Sequence, residues 1–116
     1  MLSLYAMADV YVHGGTEPAS TALVIGAIAE LPLISSKAVG CAFDVLRDGE
    51  SGVEVRDYLS VADWTKAFER MQSMREDWDR LGACGAKLAE ALDVGKTASA
   101  FMAYMRSFAC ALEGGK

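Results

Sequence analysis

LSVADWTKAFERMQSMREDWDRLGACG, Leu59 to Gly85, is the stretch on which the fold turns. Ser60 stands where a helix N-cap belongs, since its hydroxyl can accept from a backbone N–H that the first turn leaves unpaired. Asp63 follows at the third helical position, close to a capping box, and Leu59 with Trp64 has the spacing of a hydrophobic staple. Trp64, Phe68, Met71, Met74, Trp78 and Leu81 recur at three- and four-residue steps, so they share one helical face. Lys66, Glu69, Arg70, Glu76, Asp77, Asp79 and Arg80 mostly cover the opposite side. The same phase runs on through Gly85, Leu88 and Leu92. Either one long helix passes through the glycines with a weak point at Gly82–Gly85, or two helices meet there, because each interior glycine costs about 1 kcal/mol relative to Ala. The kept phase favours the long helix.

Working back from this helix, residues 49–59 form an exposed connection in which Val53 and Val55 alternate with Glu54 and Arg56. A short strand fits that pattern but cannot make a sheet alone. Ser35 or Ser36 starts a predicted helix over Lys37–Asp48, with Val39, Ala42, Phe43 and Leu46 inward and Gly49 closing it. Before it, Thr16 or Ser20 caps a nearly all-apolar helix running to about Leu31, which Pro32 ends. A buried strand is the alternative for this segment, and its alanines and length argue for helix. The first residues read two ways. Leu2, Leu4, Ala6, Ala8, Val10 and Val12 alternate as in a strand, whereas Leu4, Met7, Ala8 and Tyr11 share a helical face. The expectation is a short helix from Leu4 to Val12, and an edge strand there would need a partner, another subunit included.

On the other side of the anchor stretch, Gly95 ends one helix and Thr97 caps the last, Ala98 to about Leu112. Phe101, Met102, Tyr104, Met105, Phe108 and Leu112 give that helix a broad apolar arc, with Arg106 its only charge before Glu113. The predicted fold is therefore all-α: a single helical domain over residues 1–116, packed as a compact bundle of four or five helices, with a short N-terminal strand as the variant.

Composition narrows the function classes. A chain of 116 residues suits one domain, and 53% hydrophobic residues is high for that size. Net charge is −5, and residues 1–36 contain no Lys or Arg, which disfavours nucleic-acid binding through phosphates. Residues 21–48, read as helix–turn–helix, lack a basic patch and base-reading side chains. Cys41, Cys84 and Cys110 have no CxxC or zinc-like spacing and are expected as free thiols. Gly95-Lys96-Thr97 echoes the tail of a phosphate-binding loop, but Glu90 stands where the earlier glycine belongs. Acidic residues gather from Asp44 to Asp63 without the spacing of a calcium loop. His13, the only histidine, has no evident orienting partner in sequence. No cofactor, metal or small-molecule substrate is predicted, no catalytic residue is assigned, and no segment suits a membrane span or leader.

These features imply a small acidic regulatory or adaptor protein, cytoplasmic and not an enzyme, that binds protein through apolar helix faces. It would form a homodimer or sequester or inhibit a regulatory partner. The candidate interface residues are Phe101, Tyr104, Met105, Phe108, Leu23 and Ile28, since aromatic and Met side chains concentrate in interfaces. Two alternatives stand beside that reading: a nucleic-acid binder using residues 21–48, and an enzyme with a site near His13.

Overall fold

The computed structural model describes residues 2–115, the Leu2 side chain apart. It overturns the all-α bundle. Three parallel strands, β1 (Tyr11–Val12), β2 (Leu33–Ser36) and β3 (Gly52–Val55), form one sheet in the order β1-β2-β3. Six α-helices accompany them among the described residues: α1 (Leu2–Ala6), α2 (Thr21–Ile28), α3 (Ala42–Val45), α4 (Val61–Ser73), α5 (Trp78–Ala89) and α6 (Val94–Gly114). Helices α2 and α3 are the crossovers that parallel strands require.

Leu33-Ile-Ser-Ser36 is the segment that converts the bundle into a sheet. All four of its residues are buried. It bonds on both sides, pairing Leu33 with Tyr11 and Gly52, and Ile34 with Val12 and Val53. A strand covered on both faces shows no polar alternation, which is why its sequence reads as the end of an apolar helix. Helix α2 stops at Ile28, and Pro32 precedes the strand, where its missing N–H costs nothing. The expected helix over Lys37–Asp48 shrinks to α3. The segment 21–48 is thus helix, central strand and one short turn of helix, with no helix–turn–helix in it. The N-terminal ambiguity also resolves toward a mixture: α1 is only five residues long, and Tyr11–Val12 is the edge strand.

The period of two sends alternate β2 side chains to opposite faces. Leu33 joins Leu23, Ala27, Val39, Ala42, Val45, Leu46 and Ala89 in one core cluster. Ile34 joins Val53, Val55, Ala67, Met71 and Leu81 in the other, with Trp64, Met74 and Trp78 at its margin. So α2 and α3 cover one face and α4 covers the other. The stripe read from Trp64 to Leu81 does pack inward, against strands rather than helices. Phe68 lies half-exposed beside it.

The long helix divides earlier than the glycines suggested. Met74 ends α4, Arg75–Asp77 make a 3₁₀ turn, and α5 then runs unbroken through Gly82 and Gly85. Gly82 lies against the backbone of Glu30, where a β-carbon would overlap the Glu30 carbonyl oxygen, and Gly85 faces Ala27 and Ser51. Helix α5 therefore crosses at the amino ends of the strands and packs on α2 and α3. That leaves the carboxyl ends open to the loops after β1 and β2. No helix among the described residues is long and apolar enough to cross a membrane.

Candidate functional site

The carboxyl end of β1 carries the most specific polar constellation. Tyr11 opens β1 and His13 follows its last residue, still paired through His13 N to Ile34 O at 2.9 Å, so the two side chains lie two positions apart on extended backbone and on one side of it. Tyr11 Oη and His13 Nδ1 are 3.3 Å apart, and His13 Nε2 lies 2.8 Å from Glu17 Oε1. With the carboxylate accepting from Nε2–H, Nδ1 is left to accept from the tyrosine hydroxyl. The rings of Tyr5, Tyr11 and His13 stack in sequence, with centroids 5.7 and 6.2 Å apart. Tyr11 also packs on Gly26 of α2, where no larger side chain would fit. Burial raises the Tyr11 pKa, and the neighbouring Tyr5 adds to it. The Glu17 carboxyl is held below its ordinary range, first by a hydrogen bond from its own backbone N–H; burial opposes this, and hydrogen bonding and charge from His13 add to the lowering.

The surrounding loops are fixed to one another. Gly40 N donates to Glu17 O at 3.2 Å, and a β-carbon on Gly40 would overlap the Pro18 carbonyl. Cys41 Sγ accepts from Ser20 N at 3.2 Å and donates to Ser20 O at 3.3 Å, which explains its burial. Ser35 Oγ donates to His13 O at 3.0 Å, and Ser20 caps α2 by accepting from Leu23 N. The loop after β2 contributes Lys37, but its ammonium is committed. It donates to the carbonyls of Ala42, the first residue of α3, and Leu46, just past its last, and lies 4.9 Å from the Phe43 ring centroid. The arrangement orients the His13 ring beside the carboxyl end of β1, with Nδ1 engaged by Tyr11 and Nε2 by Glu17. Sequence reading noticed His13 and missed Tyr11 and Glu17, because their convergence depends on β1 being a strand.

The second candidate surface is α6. None of its residues is buried, although it is 21 residues long. Phe101, Tyr104, Met105 and Phe108, four of the interface candidates, are all exposed, with Tyr104 at 65%. Ile28 is also exposed at the end of α2, on a hollow shared with Val24, Ala86, Ala89, Leu92 and Asp93. Leu23 lies elsewhere, fully buried in the core on the α2 face, and has no surface to offer.

The remaining motifs serve local structure. Asp93 Oδ1 accepts from Gly95 N at 2.9 Å and Lys96 N at 3.2 Å, so a carboxylate already occupies the start of α6 at Gly95-Lys96-Thr97. In the acidic stretch, Asp48 accepts from Arg70 at 2.7 Å and from Glu54 N at 2.9 Å, Asp57 from Leu59 N, and Asp63 from Asp57 N. Among the described residues no three His, Cys, Asp or Glu side chains are grouped to hold a metal. The three cysteines are free: Cys41 buried, Cys84 half-buried and Cys110 exposed. Compared with protein families, curated proteins and solved structures, the chain matches none.

Proposed function

We propose that the protein acts by associating with another protein surface, with α6 as its contact element and the α/β body as its support. One observation carries this: a 21-residue helix bearing Phe101, Met102, Tyr104, Met105, Phe108 and Leu112 has no buried residue. Fully burying one large apolar side chain is worth about 1.5–3 kcal/mol, so several together supply a strong drive for a partner. A contiguous apolar face of this kind is the mark of an interaction site. Occupying a regulatory partner's own binding or dimerisation surface is the mode of action such a small acidic protein suits. A photo-crosslinking amino acid at position 104 tests the reading in cells. A discrete protein adduct that disappears with Phe108→Asp, while far-UV circular dichroism is unchanged, is the expected result. No adduct would overturn it.

A second reading rests on the hydrogen-bonded Tyr11–His13–Glu17 chain. Open parallel α/β sheets bind ligands outside the carboxyl ends of their strands, and these side chains stand there. A histidine oriented by a carboxylate is suited to proton transfer on, or recognition of, a small molecule carrying hydroxyl or phosphate groups. Backbone amide and His13 imidazole resonances followed by NMR through a panel of inorganic phosphate, nucleoside monophosphates and simple sugars provide the test. Saturable shifts confined to residues 13–20 and 37–41 support a ligand site; no shift with any of them removes this reading.

A further inference from the structure

Resting on the reading of α6 as a contact element, we infer that its partner is a second copy of this chain, paired antiparallel along α6 about a two-fold axis near Ala103. The seam is written in the spacing. Val94, Ala98, Phe101, Met105, Phe108 and Leu112 alternate steps of four and three, a continuous a/d pattern across the whole helix. At about 100° per residue these positions fall within a narrow stripe. The helix's own charges, Lys96, Arg106 and Glu113, point about 100° or more away from its centre, and Ser99, Ser107 and Cys110 share that outer side. Met102 and Tyr104 flank the stripe and would fold over its two margins.

Direction follows from side-chain volume. Antiparallel pairing about Ala103 sets Phe101 against Met105, Ala98 against Phe108 and Val94 against Leu112, so no aromatic ring faces another and the smallest residue of the stripe faces one of the largest. An in-register parallel pair sets Phe101 on Phe101, Phe108 on Phe108 and Ala98 on Ala98, which overfills two layers and leaves a third hollow. Antiparallel pairing also brings the partner's Leu112 to the base of α6, where Leu92, Val94, Thr97, Ala98 and Phe101 line an apolar hollow. It keeps the two folded bodies at opposite ends of a rod about 30 Å long and opposes the helix dipoles. The area withdrawn from water is on the order of 1,000 Å² in total, at the low end for a specific interface, and matches a reversible dimer.

Sedimentation equilibrium of the full chain from low to high micromolar concentration is the first measurement. A monomer–dimer equilibrium is expected, weakened at least tenfold by Met105→Asp and changed less than twofold by Arg106→Asp on the outer face. Direction is read from a spin label at Glu113→Cys, with Cys84 and Cys110 changed to Ser. The two labels are separated by twice ten residues, about 30 Å along the axis, in the antiparallel pair, against about 10–15 Å in a parallel one. A strict monomer at high micromolar concentration, a dimer indifferent to Met105→Asp, or the short distance overturns the inference. If the chain is monomeric but position 104 still crosslinks to a different protein, the second copy is wrong and the association surface survives. A monomer without any crosslink removes both.

Discussion

Glu30 is the described non-glycine residue with positive φ, at 60°, a region in which an L side chain crowds the following carbonyl. It is held there by the end of α2, where Glu30 N donates to Ala27 O at 3.0 Å and Leu31 N to Gly26 O at 3.1 Å. Glycine adopts this conformation freely, so Glu30→Gly is expected to stabilise the protein by about 1 kcal/mol, read as a higher urea midpoint at unchanged m-value. The partner of this turn is Gly82. On helix propensity alone Gly82→Ala would gain about 1 kcal/mol. The added β-carbon meets the Glu30 carbonyl instead, and a net loss of about 2 kcal/mol is expected in the same denaturation experiment. Sequence reading took the glycines as a weak point in a long helix and gave no sign of this contact, because nothing in the order of residues reveals a left-handed turn fifty positions upstream. Asp48 supplies a pH dependence. Partial burial raises its pKa, but hydrogen bonds from Glu54 N and Arg70 outweigh that and leave it lowered. A lowered carboxyl stabilises the fold above its unfolded pKa and loses that contribution as pH falls through its folded value. Both partners are nearly half exposed, so the contribution is below about 1 kcal/mol. Asp48→Asn should therefore lower the urea midpoint at pH 7, and the difference from wild type should shrink as pH falls below the ordinary carboxylate range.

Elements with local chemical signals were legible, and those defined by neighbours were not. Ser60 accepts from Asp63 N at 3.2 Å and starts α4 where its sequence says. Ser60→Ala should cost about 1 kcal/mol, measured by thermal or urea unfolding, without altering the spectrum of the native state. The N-terminal side of α2 is similarly marked by Ser20. Strand β2 carries no such mark. Ser35 and Ser36 look like helix caps, and only burial between two strands uses them otherwise: Ser35 Oγ donates to His13 O, and Ser36 Oγ accepts from Ala38 N. Four residues with hydrophobic neighbours on both faces give no period to read, whereas β3 showed its alternation through Glu54 and Arg56. The candidate site inherits this limit. The exposed residues of α6 could be named from composition and spacing, but the Tyr11–His13–Glu17 chain required knowing that β1 is extended and that the loop after it folds back on α2.

At the scale of the whole molecule, the apolar excess in the sequence has a place. The radius of gyration is 17.4 Å and the principal extents are 60 × 30 × 24 Å, against about 13 Å for a compact chain of this length. The body holds both core clusters, and α6 extends from it beyond the 3₁₀ turn at Glu90–Leu92, its principal contact. The buried core and the exposed apolar helix thus lie in different parts of the chain, which the expectation of a compact bundle had merged. Ending the chain after Leu92 should separate them. Since α6 buries none of its own residues, the body should melt within about 2–4 °C of the full chain at a concentration where both are monomeric, a shift corresponding to less than about 1 kcal/mol. In the full chain the melting of α6 itself should move to higher temperature as concentration rises, because association stabilises the form that associates by mass action, while the shortened chain should show no transition that depends on concentration. Calorimetry of both across a hundredfold range of concentration makes the comparison. A shortened chain that melts much lower at every concentration would mean that α6 covers the body in solution, and its apolar stripe would then belong to the core.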